Sequence, residues 1–166
     1  MLLGLAGWSG SGKTTFISNL IPELKKMNIS VSTLKHAHEG FDIDKPGKDS
    51  YVHRESGARE VLISSNKRFA LMHEYHKDEI SLNSLIKKLS PVDLILVEGW
   101  KKENIKKVEI YRKELNKPLL CHNDKNIIAV ATNDKSIKIK NMMILDLNNY
   151  EKIAKFIYEL IKKEIK

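Results

Sequence analysis

The sequence predicts an α/β fold, three layers deep, around a mostly parallel, partly mixed sheet. Two observations carry that expectation. Apolar runs of strand length recur along the 166 residues, and several are continuous rather than alternating, as in strands buried on both faces of a parallel sheet. Segments with helical spacing separate them, which is the rhythm of layered α/β domains.

The strand runs are Leu2–Ala6, Ser30–Leu34, Glu60–Ser64, Phe69–Met72, Asp93–Val97, Lys107–Tyr111, Ile127–Ala131 and Met142–Leu145. Between the first two, Thr14–Met27 places Phe16, Ile17, Leu20, Ile21 and Leu24 on one helical face, with Pro22 as an expected kink. Asp49 or Ser50 can cap a short helix through Arg54. Asp78–Leu89 repeats the helical pattern. Near the end, Tyr150, Ile153, Ala154, Ile157, Leu160 and Ile161 form an amphipathic stripe. Its polar side is mixed in charge, so it reads as a packing face rather than a membrane surface helix. The longest stretch without periodicity is "KHAHEGFDIDKPGKDS", Lys35–Ser50, a loop length that in a compact domain implies function or disorder.

The length suits one domain over residues 1–166, and no linker divides it. A hydrophobic fraction of 42% with 30% charged residues is that of a folded globular chain. No run approaches the roughly 18 apolar residues of a membrane helix, and the start lacks signal-peptide character, so the expected location is the cytoplasm, away from membrane. Cys121 is a single cysteine and cannot form an internal disulfide. The net charge of +8 accumulates late: residues 101–166 carry 16 basic and 9 acidic side chains. Arginine occurs only at positions 54, 59, 68 and 112, without interleaved aromatics, which argues against nucleic acid as a partner.

Function enters with Gly7-Trp8-Ser9-Gly10-Ser11-Gly12-Lys13-Thr14, which fits G-x-x-x-x-G-K-[ST] after a strand and at the start of a helix. Glycines let backbone N–H groups close around a phosphate, and the helix N-terminus adds partial positive charge. The binding set is Ser9, Gly10, Ser11, Gly12, Lys13, Thr14 and Thr15. Lys13 is expected at the β and γ phosphates and the Thr14 hydroxyl on Mg²⁺. The fold expectation thereby sharpens to a P-loop NTPase domain. In "DLILVEGW" a carboxylate, Glu98, ends a buried strand where an acid beside magnesium is expected. Asp42 and Asp44 are loop acids that could supply a third ligand or sense the γ phosphate. Lys13 and Glu98 are expected catalytic residues, and Thr14 and Glu98 expected metal ligands. His36 and His38 could meet Cys121 and His122 at a transition metal, though loop histidines are more often solvated.

"GWSGSGKTT", "TLKHAH", "FDIDKPGKDSYVHRESGA" and "DLILVEGWK", in that order and spacing, resemble the molybdopterin-guanine dinucleotide biosynthesis protein B (MobB) family. The resemblance runs from Leu2 through "IIAVATND". It implies a homodimeric GTP-binding protein with weak GTPase activity, an adaptor beside the guanylyltransferase that joins GMP to molybdopterin. Glu98 also looks like the Mg²⁺-binding glutamate of dethiobiotin synthetases, which implies Asp44 as the loop acid nearest the metal, with Asp42 a weaker choice. That completes the expected catalytic set Lys13, Glu98 and Asp44 and the expected metal set Thr14, Glu98 and Asp44. The apolar strands Phe69–Met72 and Lys107–Tyr111 are the places available for a dimer contact, and molybdopterin is a further candidate ligand for the basic "KPGKDSYVHR" region. "AVATND" supplies Thr132, Asn133 and Asp134 where many GTPases read guanine, without their full pattern, so GTP over ATP rests on the resemblance. Two other readings remain: an ATP-dependent small-molecule kinase or dethiobiotin synthetase-like ligase, and a GTP-dependent metal-insertion chaperone.

Overall fold

The computed structural model describes residues 1–37, 40–75 and 80–165. His38, Glu39 and Asp78 of the readings above lie outside the described residues. The described chain forms two compact units. Met1–His36 with Ser90–Lys166 make the first, and Ala37–Leu89, inserted between its strands, the second.

The first unit holds β1 (Leu2–Ala6), α1 (Lys13–Lys26) and β2 (Val31–Lys35) before the insert. After it come β5 (Leu94–Glu98), β6 (Lys107–Tyr111), β7 (Ile127–Thr132), β8 (Met143–Asp146) and α4 (Tyr150–Ile165). The six strands form one sheet in the order β2-β5-β1-β6-β7-β8, and each recorded pairing is parallel. The α/β expectation holds, with the antiparallel component confined to a separate ribbon in the insert. Leu3, Leu5, Leu94, Leu96, Val108, Ile110, Ala129 and Ala131 alternate along their strands in mutual register and line one face of the sheet, while Val97 and Val130 are buried on the other, which is why these runs are continuously apolar. Phe16, Leu20 and Leu24 of α1 and Ile153, Ala154, Ile157 and Ile161 of α4 complete the core. The two helices pack on one another, with the Phe16 and Tyr150 rings 6.0 Å apart. Pro22 sits inside α1 without ending it. No helix of the described residues is long and apolar enough to cross a membrane.

β6 is an inner strand between β1 and β7, and Lys107–Ile110 are buried in it. This corrects the suggestion that Lys107–Tyr111 offers a dimer contact: its edges are already paired. Its polar residues have specific partners. The Lys107 ammonium donates to the Glu103 carbonyl (2.8 Å) and the Asp124 carboxylate (2.9 Å). Glu109, fully buried, accepts from the Leu120 and Cys121 amides at 2.8 and 2.9 Å, taking up two donors of a single 3-10 turn.

The insert contains α2 (Asp49–Glu55), β3 (Glu60–Ser64), β4 (Phe69–His73) and α3 (Leu82–Ile86). β3 and β4 pair antiparallel, with Leu62 opposite Leu71 and Ser64 opposite Phe69. Ser81 caps α3 by accepting from the Ser84 amide. The helix is shorter than the periodicity over Asp78–Leu89 suggests.

Candidate functional site

The strand order creates the site. β1 is followed through α1 by β2, which lies beyond β5, whereas β6 lies on the other side of β1. Connections therefore leave β1 and β5 in opposite directions, and a crevice opens outside the carboxyl end of β1. The loop that fills this point is Gly7–Gly12. Gly7, Gly10 and Gly12 all have positive φ, and Gly12, at +88°, is the α1 N-cap in the left-handed region. A Cβ on Gly7 would lie 2.5 Å from the Ser11 Oγ and 2.7 Å from the Ile110 carbonyl, so only glycine fits.

No side chain caps α1. Its first intrahelical bond runs from the Phe16 N–H to the Gly12 carbonyl (2.8 Å), leaving the amides ahead of it without intrahelical partners. Such a helix end attracts an anion. The Lys13 ammonium folds back over the loop, donating to the Gly7 (2.9 Å) and Trp8 (3.2 Å) carbonyls. Burial pushes it below its ordinary value of 10.5; Glu98 opposes that shift, and Lys101 and Lys35 add to it. Lys13, Glu98, Lys101 and Lys35 thus share one electrostatic neighbourhood.

Glu98 ends β5 in register with Leu5 of β1 and Lys35 of β2. The turn after it demands glycine: Gly99 has φ +103°, and a Cβ there would meet the His36 Cβ at 2.6 Å and its carbonyl at 2.9 Å. His36 is drawn in by its N–H bond to the Glu98 carbonyl (2.8 Å) and by the Trp100 ring at 5.2 Å. Thr14 and Glu98 supply a hydroxyl and a carboxylate, hard oxygen donors that fit Mg²⁺, an ion held by few protein ligands together with substrate phosphates.

Asp42 and Asp44 belong to the insert, where the Arg54 guanidinium engages both, at 2.7 and 3.1 Å. The Asp44 side chain is buried, and its Oδ2 has no hydrogen-bond partner among the described residues. Among the described residues no three His, Cys, Asp or Glu side chains converge to hold a metal ion. Cys121 is a poor ligand besides: burial, with Glu109 beside it, pushes its thiol up to about 11.

At the end of β7, the Asp134 carboxylate accepts from the Ser136 hydroxyl and amide, which holds it below its ordinary range, and meets Lys113 at 3.4 Å. Asn133 donates to Glu114 at 2.6 Å, while its own Oδ1 is buried without a partner among the described residues. Sequence reasoning missed Arg112. Its Nε donates to the Ser11 carbonyl at 3.1 Å, although 101 positions separate them.

Comparison with known proteins gives the family. Residues 2–133 match the family model described as molybdopterin guanine dinucleotide synthesis protein B, MobB. The chain is 43% identical over 158 residues to a Haemophilus influenzae protein named molybdopterin-guanine dinucleotide biosynthesis adapter protein, covering 94% of this chain and 86% of that one. An Escherichia coli protein of the same name is 40% identical, with 98% and 94% covered. In fold, the chain is similar to a crystal structure of molybdopterin-guanine biosynthesis protein B, at a TM-score of 0.73 and 24% identity, covering 98% of this chain and 99% of that one. The chain belongs to the MobB family.

Proposed function

We propose that this protein is a GTP-binding adaptor of molybdopterin guanine dinucleotide biosynthesis, with weak GTPase activity, working beside the guanylyltransferase that attaches GMP to molybdopterin. The observation that carries the nucleotide half of this reading is the loop Gly7–Gly12 at an uncapped helix start, with Lys13 and Glu98 electrostatically coupled at the same sheet edge. Lys13 exchanges its carbonyl partners for phosphate oxygens. Thr14 and Glu98 would hold Mg²⁺, which would supply positive charge against that of the phosphates. Asp44, the third ligand expected at the metal, is held by Arg54, and the reading does not depend on it. The adaptor half rests on family membership and on relatives that carry the adapter name.

The same reading makes the protein a cytoplasmic homodimer, with residues 1–166 as one P-loop NTPase domain carrying an insert. The insert's ribbon supports the dimer: Leu62, Phe69 and Leu71 lie on one face by register and are exposed. Competition of GTP and ATP for a labelled nucleotide, in Mg²⁺, tests the base preference, and ATP winning overturns it. Pull-down with and without GTP tests the adaptor role: recovery of the guanylyltransferase supports it, and recovery of nothing favours a metabolite enzyme.

A further inference from the structure

The segment that follows β6 grips the phosphate loop at four residues. The Arg112 Nε donates to the Ser11 carbonyl, and Nε and Nη2 stand 3.2 and 3.4 Å from where a Cβ on Gly12 would be. Leu115 lies 3.6 Å from the corresponding position on Gly10. The Pro118 carbonyl accepts from the Trp8 indole N–H at 2.8 Å, and the Lys117 ammonium lies 5.8 Å over the Trp8 ring. Glu114 and Lys113 tie the same segment to Asn133 and Asp134 after β7.

The Arg112 contact has a directional consequence. A trans peptide is planar, so its C=O and N–H point in opposite directions. The carbonyl that Arg112 holds belongs to the peptide whose N–H is that of Gly12. Fixing the oxygen toward β6 therefore turns the Gly12 N–H to the opposite side. Gly12 is also the residue for which a flip of this peptide is cheapest, because glycine accepts either sign of φ. Arginine suits this role, since its planar fork can hold a carbonyl through Nε while its remaining charge stays at the loop, which a lysine point charge cannot reproduce.

We infer that Arg112 is a positioning residue that locks the Ser11–Gly12 peptide with its N–H aimed at the bound phosphates. The inference rests on the nucleotide reading above. The test is titration of GDP with Mg²⁺ into the wild-type chain, Arg112→Ala and Arg112→Lys, with melting temperature measured in parallel and glycine-selective ¹⁵N labelling to follow the Gly12 amide. The expected results are a loss of affinity of about tenfold or more in Arg112→Ala, a smaller loss in Arg112→Lys, and partial rescue of Arg112→Ala by millimolar methylguanidine. The Gly12 resonance should move on GDP binding in the wild type and not in Arg112→Ala. Wild-type binding with an Arg112→Ala variant within twofold of it, or with an unchanged Gly12 response, overturns the positioning role alone. A wild-type chain that takes up no GDP overturns the nucleotide reading and this one with it. If Arg112→Ala does not fold, Arg112→Lys decides by the same two readouts.

Discussion

The phosphate-loop unit and the insert treat their apolar side chains in opposite ways. In the first, Phe16 is 1% exposed, and the sheet is covered along β1, β5, β6 and β7 by residues that hardly touch solvent. In the insert Val61 and Leu82 are buried, but Phe69 is 72% exposed and Leu62 60%. Buried polar groups follow a related division. In the first unit Lys107 and Glu109 have polar partners, and the buried side-chain atoms left without one among the described residues, Ser11 Oγ and Asn133 Oδ1, lie at the carboxyl edge of the sheet. In the insert the buried side-chain atoms without a partner among the described residues are Asp44 Oδ2 and Arg54 Nε, inside an ion-pair cluster. Among the described residues, the first unit leaves its unpartnered buried side-chain atoms in the loops at its candidate site. The other carries a surface suited to a partner.

The contrast is sharpest at two phenylalanines. Phe16→Ala empties a closed core position and should cost about 3–5 kcal/mol, read as a large fall in denaturation midpoint at unchanged m-value. Phe69→Ala should cost within about 0.5 kcal/mol when measured at dilutions where the chain is monomeric. Similar losses at both positions would erase the distinction between the units.

A comparable loss is expected at the buried ion pair. Asp124→Asn leaves the Lys107 ammonium, 3% exposed, without its countercharge and should cost about 3 kcal/mol. Burial pushes the Asp124 carboxyl up, but the bonds from Lys107 and the Asn126 amide outweigh it and leave it below its ordinary 3.8. A depressed carboxylate stabilises the fold above the unfolded-state pKa and loses that contribution as pH falls through the folded value. Wild-type stability should therefore drop as pH falls below about 3.8, and the drop should be shallower in Asp124→Asn.

On the ribbon the same chemistry should act between chains. Replacing Leu62 and Leu71 together by lysine should shift sedimentation from dimer toward monomer while GTP binding at the loop stays within about twofold. A double variant that sediments like the wild type would remove the ribbon as the interface.

Much of the first unit is legible in the sequence because continuous apolar runs have few alternatives. Leu2–Ala6 and Lys107–Tyr111 match their strands residue for residue, and the other expected strands lie within one residue. The phosphate loop is legible because its spacing is its mechanism. Arg112 is not, since its contact with Ser11 depends on β6 lying beside β1, a neighbourhood that periodicity does not reveal. Glu109 looks like an interruption of an apolar run, because the amides that satisfy it come from a later turn. The loop acids mislead in their company rather than in their place: the sequence points Asp44 toward a metal, whereas Arg54, ten positions on and legible only as a further positive charge, holds it.

The smallest effect tests whether the first unit is as closed as its partnered groups imply. The Cys121 thiol is raised to about 11 by burial and by Glu109, against an ordinary 9.0. Thiolate is the reactive form, so at pH 8 roughly a thousandth of the native thiol is ionised, against roughly a tenth in the unfolded chain. Alkylation by iodoacetamide should run about a hundredfold slower in the native protein than in denaturant. Its rate should still climb with pH past 9, where that of an ordinary cysteine levels off. Glu109→Gln removes the neighbouring charge and should speed the native reaction severalfold. A native thiol that alkylates at the unfolded rate would show the Glu109 turn open to solvent, and would restore Cys121 as a candidate ligand for the metal-chaperone reading that its raised pKa now disfavours.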